Sequence, residues 1–581
     1  MLRMWRVFPG LFRRRIMLAH LKKKKRFVCL FLALLMLMGC QGSRGEEIQE
    51  EKQEGEIRKE ENREEENQEP QDVRLPQVLS TEDNYRTYYE VFVYSFFDGN
   101  GDGTGDLKGL VEKLDYINDG DPATTEDLGC DGIWLMPVMP SASYHKYDVM
   151  DYYAIDPEYG TMEDFENFMA ECDKRGIKVI LDLVINHSSS EHPWFKEAAA
   201  YLAELGDGEP SLADCPYVDY YHFSKEQKTG YSQVPGSDVW YYESQFSFTM
   251  PDLNLYNESL REEIGKIVDF WIAKGVGGFR LDAVKEYETG ADSANIEILS
   301  WFSDMVKGKR EDAYLVGEAW TDISTYEKYY ESGIDSLFNF AFADSEGIIA
   351  KVVKGSSPAS GYGKALQNIE ERFKEYNPDY IDAPFYTNHD MGRSAGYYSG
   401  ENSPSQTKIA GALNLFMSGN AFIYYGEELG MKGSGKDENK RAPMYFYEDK
   451  EAEGMCRGPA DMDGIKMKYG SYEIQEKDPY SVYNYYKKAI RLRGIYPAIR
   501  RGSVENLEQF ADDTLTAFSK SWEDEKIYLF CNLAPEERVI TLDGLEGEIQ
   551  GIAEELCVDE KVPALKEGTL TLPGYGIVIL K

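Results

Sequence analysis

The feature that most limits how this chain can fold is a regular alternation of apolar, strand-like runs with helical patterns between Thr87 and Glu428. Amphipathic stretches such as 259–274 and 406–417 separate the runs. Because the runs are almost continuously apolar, they indicate strands of a parallel sheet that is buried on both faces. About eight such units predict an α/β fold, a closed (β/α)8 TIM barrel. The predicted strands are 88–97, 132–138, 179–185, 277–283, 314–320, 336–342, 383–387 and 421–425.

Two segments depart from this pattern. The connection over residues 188–250 is rich in Ser, Tyr, Gly, Pro and acidic residues and has no sustained period. Because loops of that length in a compact domain are usually functional, we predict an inserted subdomain after the third strand of a barrel that spans 81–500. After the barrel, short alternating runs such as 526–533 predict a C-terminal, sandwich-like antiparallel β domain over 501–581.

The N-terminus predicts an exported protein that is held at a membrane. Basic residues at 22–26 precede an apolar run, 27–38, which is too short for a transmembrane helix and is typical of a signal-peptide core. The run ends in Leu-Met-Gly-Cys40, which resembles a bacterial lipobox. We therefore expect a signal peptide over 1–39, a lipid on Cys40, and a location on the outer face of the bacterial cell membrane.

Composition indicates which segment is disordered and limits the partners, disulfides and zinc sites that the chain can have. The segment 46–69 contains almost only Glu, Gln, Asn, Arg and Lys, so we predict a disordered acidic tether over 40–80. The formal net charge of −40 argues against nucleic acid as a partner, because phosphate binding needs clustered Lys and Arg. The cysteines after Cys40 are scattered, which indicates neither a disulfide framework nor a zinc site. We expect the protein to be a monomer.

Three carboxylates, Asp282, Glu318 and Asp390, stand at the ends of predicted strands. Cleavage of a glycosidic bond needs two carboxyl groups that flank the bond, and a third anion can support the positive charge of the transition state. Catalytic residues of a (β/α)8 barrel lie at these strand ends. Helix capping could explain any one of the three. It does not explain Arg280, which lies two residues before Asp282 and therefore faces the same way along the strand.

The segments that carry these residues resemble the signatures of the α-amylase family, glycoside hydrolase family 13, over roughly residues 88–500. Segment 250–254 is similar to the fifth signature of the family, in a form that mixes the patterns of two subgroups. That form is typical of the intermediate group between oligo-1,6-glucosidases and neopullulanases. The other segments that resemble family signatures are 182–187, 278–286, 317–320, 387–390 and 419–428.

The resemblance implies a role for each matched residue. Asp282 would be the nucleophile, Glu318 the acid/base and Asp390 the transition-state stabiliser. Carboxyl groups on adjacent strands can approach the separation of about 5–5.5 Å that a retaining mechanism requires. The residues implied to bind the sugar are Tyr147, His187, Arg280, Lys285 and His389.

A glycine-rich loop suggests a Ca²⁺ site. Oxygen-bearing side chains alternate with glycine in this loop, which suits a hard cation. The loop differs from an EF-hand, because Gly109 stands where that motif has a bidentate glutamate. It resembles the calcium loop after the first strand in several members of the family, and the alternative is a plain turn before a helix. The implied ligands are Asp98, Asn100, Asp102, the Thr104 carbonyl and Asp106.

Together these features predict a retaining, endo-acting α-amylase that cleaves α-1,4 bonds in starch, maltodextrins and related α-glucans. Ala283 and Lys285, which follow the proposed nucleophile, resemble α-1,4-acting members of the family. An exo-acting α-glucosidase, a maltogenic enzyme and a neopullulanase-like enzyme remain open, as does a non-catalytic glucan-binding surface lipoprotein. Four aromatic residues could stack on glucose or belong to the core, namely Trp240, Tyr241, Phe246 and Trp320.

Overall fold

The carboxyl ends of a set of parallel strands lie together and form one face of a barrel. The structure is a computed structural model, which describes residues 74–545 and 547–581. In chain order the strands are β1 (Thr87–Val91), β2 (Gly132–Leu135), β3 (Lys178–Leu183), β4 (Phe223–Ser224), β5 (Tyr231–Gln233), β6 (Tyr241–Glu243), β7 (Gly278–Leu281), β8 (Tyr314–Gly317), β9 (Ser336–Leu337), β10 (Ala421–Tyr424), β11 (Ser503–Asn506), β12 (Leu515–Trp522), β13 (Glu525–Asn532), β14 (Arg538–Thr541), β15 (Ile552–Leu556), β16 (Ala564–Lys566), β17 (Thr569–Leu572) and β18 (Ile577–Leu580).

The barrel wall is a parallel sheet in the order β10–β1–β2–β3–β7–β8–β9. Parallel bridges from Phe338 to Ala383 and from Phe385 to Phe422 join the two edges of this sheet. Residues 383–385 therefore take the place of the seventh strand and close the ring. The predicted (β/α)8 barrel is confirmed, because every strand position of the ring is filled.

Helices surround the barrel and connect its strands. Several of them begin with a side-chain cap, such as the capping box of Thr161 and Asp164 at the helix Met162–Lys174. None of the helices in the described ranges has the length and apolar character that crossing a membrane requires. In chain order the helices are α1 (Leu107–Glu112), α2 (Leu114–Ile117), α3 (Met162–Lys174), α4 (Pro193–Leu205), α5 (Glu258–Ala273), α6 (Asp292–Lys309), α7 (Ile323–Tyr326), α8 (Ile348–Val353), α9 (Ser360–Tyr376), α10 (Ser403–Leu415), α11 (Asp437–Lys440), α12 (Tyr472–Gln475), α13 (Val482–Ile495) and α14 (Pro497–Arg501).

Several predicted strands were too long at their carboxyl ends. The first was predicted to reach residue 97, but β1 ends at Val91 and a short 3₁₀ helix, Val93–Ser95, follows it. The seventh, predicted over 383–387, forms only isolated bridges. Phe92, Val93 and Phe96 are buried although they lie beyond the strand. The apolar pattern continued because the loops at this face of the barrel are themselves buried.

The inserted subdomain follows β3, as predicted. It contains α4 and a small antiparallel sheet in the order β4–β6–β5. Bridges from His187 to Asp252 and from Tyr221 to Leu253 tie its ends together. The subdomain is therefore anchored next to the carboxyl end of β3, where several predicted site residues lie.

The predicted antiparallel β domain follows α14. A five-stranded sheet, β11–β12–β13–β18–β15, faces a three-stranded sheet, β14–β17–β16. One apolar cluster contains side chains from both sheets, such as Phe530 and Leu572, so the two sheets share a core. The Gly363 amide in α9 donates to the Thr516 hydroxyl in β12 and links this domain to the barrel.

The predicted signal peptide (1–39), Cys40 and residues 41–73 of the predicted tether lie outside the described residues. The last part of the predicted tether, 74–80, lies against the body of the protein. The Gln77 amide donates to the Gly494 carbonyl at 2.8 Å, and Leu79 is buried.

Candidate active site

Asp282 and Glu318 follow neighbouring parallel strands, β7 and β8. The register pairs Leu281 with Gly317, so the residues that follow them, Asp282 and Glu318, lie side by side. Neighbouring strands are about 4.7–4.9 Å apart. The backbone therefore brings these two carboxylates to one place at the face of the barrel.

Arg280 joins three carboxylates in the barrel interior. Its Nη1 donates to Asp282 Oδ1 at 2.6 Å and to Asp182 Oδ1 at 3.0 Å. Its Nη2 lies 2.9 Å from Glu318 Oε1. The guanidinium is fully buried, and such a charge is tolerated only beside opposite charges. One cation facing three acids favours a state in which one of the acids keeps its proton.

Glu318 is the acid that the surroundings hold in the protonated form. Burial raises the pKa of Glu318 to about 7, with Arg280 opposing the rise and Asp282 adding to it. Burial also raises the pKa of Asp182, to about 6. A carboxyl group that keeps its proton near neutral pH can act as a general acid.

The turn after β7 fixes the Glu318 carboxylate. Ala283 has a φ of 47°, a left-handed conformation that is uncommon for a residue with a side chain. This turn points the Ala283 amide at Glu318 Oε2, at 3.3 Å. The Val284 amide donates to the Glu318 carbonyl at 3.0 Å. The strained residue thus orients the candidate acid, which is a common use of strain.

Asp390 is held as an anion by two cationic groups. His389 Nε2 lies 3.1 Å from its Oδ2, and Arg441 Nη2 lies 2.8 Å from its Oδ1. Burial opposes ionisation, but His389 and Arg441 outweigh it and hold the pKa of Asp390 far below its usual range. A permanent anion at this position can support positive charge on a sugar ring.

Tyr147 connects the two halves of the site. Its hydroxyl donates to Asp182 Oδ2 at 2.9 Å and lies 2.7 Å from His389 Nε2. Its ring is stacked on the imidazole of His389, with centroids 5.3 Å apart. The structure therefore brings Tyr147, Arg280 and His389 together with the three candidate catalytic carboxylates.

The other two predicted sugar-binding residues lie at the edge of this network. His187 is buried in the segment after β3, where its ring is 5.4 Å from that of Phe246. Its Nε2 has no hydrogen-bond partner. Lys285 is partly exposed, and its Nζ lies 3.5 Å from Glu286 Oε1 rather than in the network around Arg280.

Sequence reasoning missed three residues of the site. Glu90, in β1, lies 2.6 Å from His389 Nδ1. Arg441 and Tyr144 come from the loops after β10 and β2 and bond to each other at 3.0 Å. Glu90 could have been predicted as a site residue, because it is a single charged residue inside an apolar strand. The sequence around Arg441 carried no comparable signal.

The four candidate aromatic residues divide between core and surface. Trp240 is buried, and its indole nitrogen donates to the Gly206 carbonyl. Tyr241 is partly buried in β6. Phe246 and Trp320 are 53% and 51% exposed. Only these last two present a ring that a sugar could cover.

The loop Asp98–Asp106 combines buried and exposed oxygen donors. Asp98 and Asp106 are buried, and Asp106 Oδ2 has no hydrogen-bond partner. Burial and then the nearby charge of Asp98 raise the pKa of Asp106. A cation would relieve both effects, so these residues fit a bound Ca²⁺. In the described ranges no three His, Cys, Asp or Glu side chains form a metal cluster, so amide and carbonyl oxygens would have to complete the site.

Comparison with known proteins agrees with this geometry. The profile of the alpha-amylase catalytic domain matches residues 90–502. Alpha-amylase 3 of Dictyoglomus thermophilum is 40% identical over 454 residues, which span 77% of this chain and 84% of that protein. The solved structure of Eubacterium rectale Amy13B is 50% identical, with a TM-score of 0.83, and the match covers 87% of this chain and 97% of that one.

A further relative carries a different name. Glucan 1,6-alpha-glucosidase of Streptococcus pneumoniae is 30% identical over 519 residues, which span 78% of this chain and 92% of that protein. The match to a catalytic domain identifies an enzyme rather than the non-catalytic binding protein that the sequence had left open. The chain belongs to the α-amylase family of glycoside hydrolases.

Proposed function

We propose that the protein is a retaining, endo-acting α-amylase that hydrolyses α-1,4 bonds in starch, maltodextrins and related α-glucans. One observation carries the proposal: Arg280 contacts both Asp282 and Glu318 at the ends of adjacent strands. Adjacent strands favour the short carboxyl separation of a double displacement, whereas an inverting enzyme needs room for a water molecule between its two carboxyl groups.

In the first step Asp282 attacks the anomeric carbon and forms a bond to it. The bond from that carbon to the glycosidic oxygen breaks, and the oxygen takes the proton of Glu318. In the second step Glu318 accepts a proton from water as the water oxygen bonds to the anomeric carbon, and Asp282 is released. Asp390 stabilises the positive charge of both transition states.

The protonation of Glu318 predicts an alkaline limit to activity. Because the acid form is required and burial raises the pKa of Glu318 to about 7, kcat/KM should fall as the pH rises through that value. The measurement is kcat/KM on a maltooligosaccharide between pH 5 and pH 10. For a substrate whose leaving group needs no proton, the rate of the first step should not fall on the alkaline side. A flat profile up to pH 9 would contradict the role of Glu318 as the acid.

Endo action is supported by exposed rings on two sides of the carboxylates. Phe246 lies against His187 on the side of β3. Trp320 stacks on Phe340 on the side of β8, with centroids 5.3 Å apart. Exposed aromatic faces on both sides suit a glucan chain that extends beyond the cleaved bond.

A second candidate is an exo-acting α-glucosidase. It is favoured by the bond between Arg441 and Tyr144, which joins the loops after β10 and β2 beside Asp390. Such a bridge could close one end of the cleft and leave room for only a chain end.

Product analysis separates these two candidates. We expect a ladder of oligosaccharides to form early from soluble starch, whereas glucose alone would establish exo action. Pullulan and cyclodextrin as substrates test the neopullulanase-like alternative.

Trp320→Ala should raise KM for starch by about tenfold, since stacking of an aromatic ring on a ligand is worth about 1 kcal/mol or more. Val539→Ala, which changes an exposed apolar residue of the C-terminal domain, is the matched control.

We also propose that Ca²⁺ binds the loop Asp98–Asp106 and stabilises the fold. The loop is packed against a distant segment, because the Asp98 amide donates to Gly454 and the Arg457 amide donates to Gly103. A cation that binds only the folded chain adds about 2.7 kcal/mol at a concentration of 100 times Kd.

Chelation should therefore lower Tm, and Asp102→Ala should remove most of that response. Asp121→Ala, which changes an exposed aspartate in another turn, should keep the response. Differential scanning calorimetry with and without a chelator measures both. An unchanged Tm of the wild-type protein in excess chelator would count against the site.

A further inference from the structure

We propose that Glu90 is a positioning residue for hydrolysis, whose buried carboxylate keeps the His389 ring doubly protonated so that the ring donates to Asp390 and Tyr147. This inference rests on the proposed function, since it assigns a task within the same site. Glu90 does not reach the position of the reacting bond and acts through His389.

Glu90 lies at a buried position where a carboxylate needs a hydrogen-bonded or charged partner. It is the only charged residue of β1, and it lies inside the barrel with 1% of its surface exposed. A carboxylate in such a place is costly unless it is paired. Its Oε1 lies 2.6 Å from His389 Nδ1, and the His389 side chain is also fully buried. This contact therefore accounts for a charge in the middle of an apolar strand.

The geometry favours a proton on both nitrogens of His389. Nδ1 faces the Glu90 carboxylate, which accepts when it is ionised. Nε2 lies 3.1 Å from Asp390 Oδ2, another acceptor. It also lies 2.7 Å from the Tyr147 hydroxyl, whose own proton is donated to Asp182. A neutral ring with its proton on Nδ1 would turn a lone pair toward these oxygens, whereas the imidazolium satisfies all of them.

The charges around the ring agree with this assignment. Burial disfavours the cation, but Asp390 and Glu90 outweigh it and raise the pKa of His389 to about 9. Burial raises the pKa of Glu90, and His389 opposes the rise. The titratable groups that interact with the ring are Glu90, Tyr147, Asp182, Glu318 and Asp390, and the cations beside these carboxylates are Arg280 and Arg441.

Glu90→Gln tests the proposal because it keeps the shape and removes the charge. His389 should then lose its second proton at a pH that is lower by about one unit, which titration of the ring measures. We expect kcat/KM at the optimum to fall about 10-fold to 100-fold, by analogy with the loss of a partner that orients a metal-ligating histidine. Glu90→Asp, which restores the charge, should recover part of the loss.

The protonation of His389 can be observed without substrate. The chain contains six histidines, so ring ¹⁵N signals of selectively labelled protein are few, and His389→Gln assigns the relevant one. We expect the wild-type ring to remain doubly protonated at pH 7.5 and the Glu90→Gln ring to be neutral or mixed. Glu428→Gln is the matched control, because Glu428 is another buried carboxylate that bonds to Tyr89 and Tyr116 rather than to histidine.

These readouts separate the proposal from the function on which it rests. A neutral His389 ring in the wild-type protein overturns the proposal, and so does an unchanged titration of the ring in Glu90→Gln. Loss of activity with an unchanged titration would also overturn it, because the role of Glu90 would then be purely structural. If the wild-type protein does not cleave α-glucans, the proposed function fails, and the ring signals still report on the Glu90–His389 pair.

Discussion

Asp282→Asn and Glu318→Gln should each lower kcat on starch by at least about 1,000-fold and leave the fold intact. The first replaces the carboxylate that we propose as the nucleophile by an amide, which cannot form the glycosyl–enzyme bond. The second keeps the shape of the acid but removes the proton that the leaving oxygen requires. Each substitution is isosteric, so the loss should appear in kcat rather than in the free energy of unfolding.

The stability of the two variants gives an independent check. At pH 8 Glu318 is ionised although it is buried, because this pH lies above the pKa of about 7 to which burial raises the carboxyl group. Replacing it by neutral Gln removes that cost, so Glu318→Gln should be as stable as the wild-type protein or more stable. Active sites commonly trade stability for function in this way. Urea denaturation at pH 8 measures the difference.

A matched control and a second substrate separate the two roles. Asp322→Asn should keep full activity, because Asp322 is an exposed cap of α7 and Asn caps helices equally well. On a substrate with an activated leaving group, Glu318→Gln should recover its first step, whereas Asp282→Asn should not. Retention of a tenth of the wild-type activity on starch by either variant would contradict the assignment of that residue.

The sequence was sufficient for features that depend on local pattern. Strand–helix alternation predicted the barrel, and the motifs around Asp282 and Glu318 led to residues that the structure brings together. Strand ends were less predictable. The apolar pattern ran past Val91 because the loop residues that follow are also buried.

Long-range partners could not be derived from the sequence. Arg441 lies 51 residues after Asp390 in the chain, in a loop with no regular pattern, yet it binds that carboxylate directly. Glu90 lies 299 residues before His389. Only closure of the barrel brings such residues together, because the eighth strand, β10, pairs with β1 on one side and with Phe385 of the seventh position on the other.

Arg280→Met should destabilise the protein by about 3–5 kcal/mol and abolish hydrolysis. The substitution keeps much of the side-chain volume but removes the cation that faces Asp182, Asp282 and Glu318. Three carboxyl groups would then share a buried site without compensation. Arg280→Lys should recover part of the stability but little activity, because a single ammonium group cannot replace a guanidinium that contacts three partners.

The destabilisation should grow with pH. Burial raises the pKa of Glu318 to about 7, above the value of about 4.3 in an unfolded chain. The folded state therefore binds more protons between these values, and its stability falls as the pH rises through them. Arg280 partly opposes the raised pKa of both Glu318 and Asp182, so its removal should extend this fall to higher pH.

Urea denaturation of the wild-type protein and Arg280→Met at pH 5 and pH 8 tests this dependence. The difference in the free energy of unfolding should be larger at pH 8, where the uncompensated carboxylates must ionise. Arg310→Met is the control, because Arg310 forms a partly exposed pair with Asp312 that should contribute no more than about 1 kcal/mol. A loss below 1 kcal/mol for Arg280→Met, equal at both pH values, would show that the buried cation does not hold the site together.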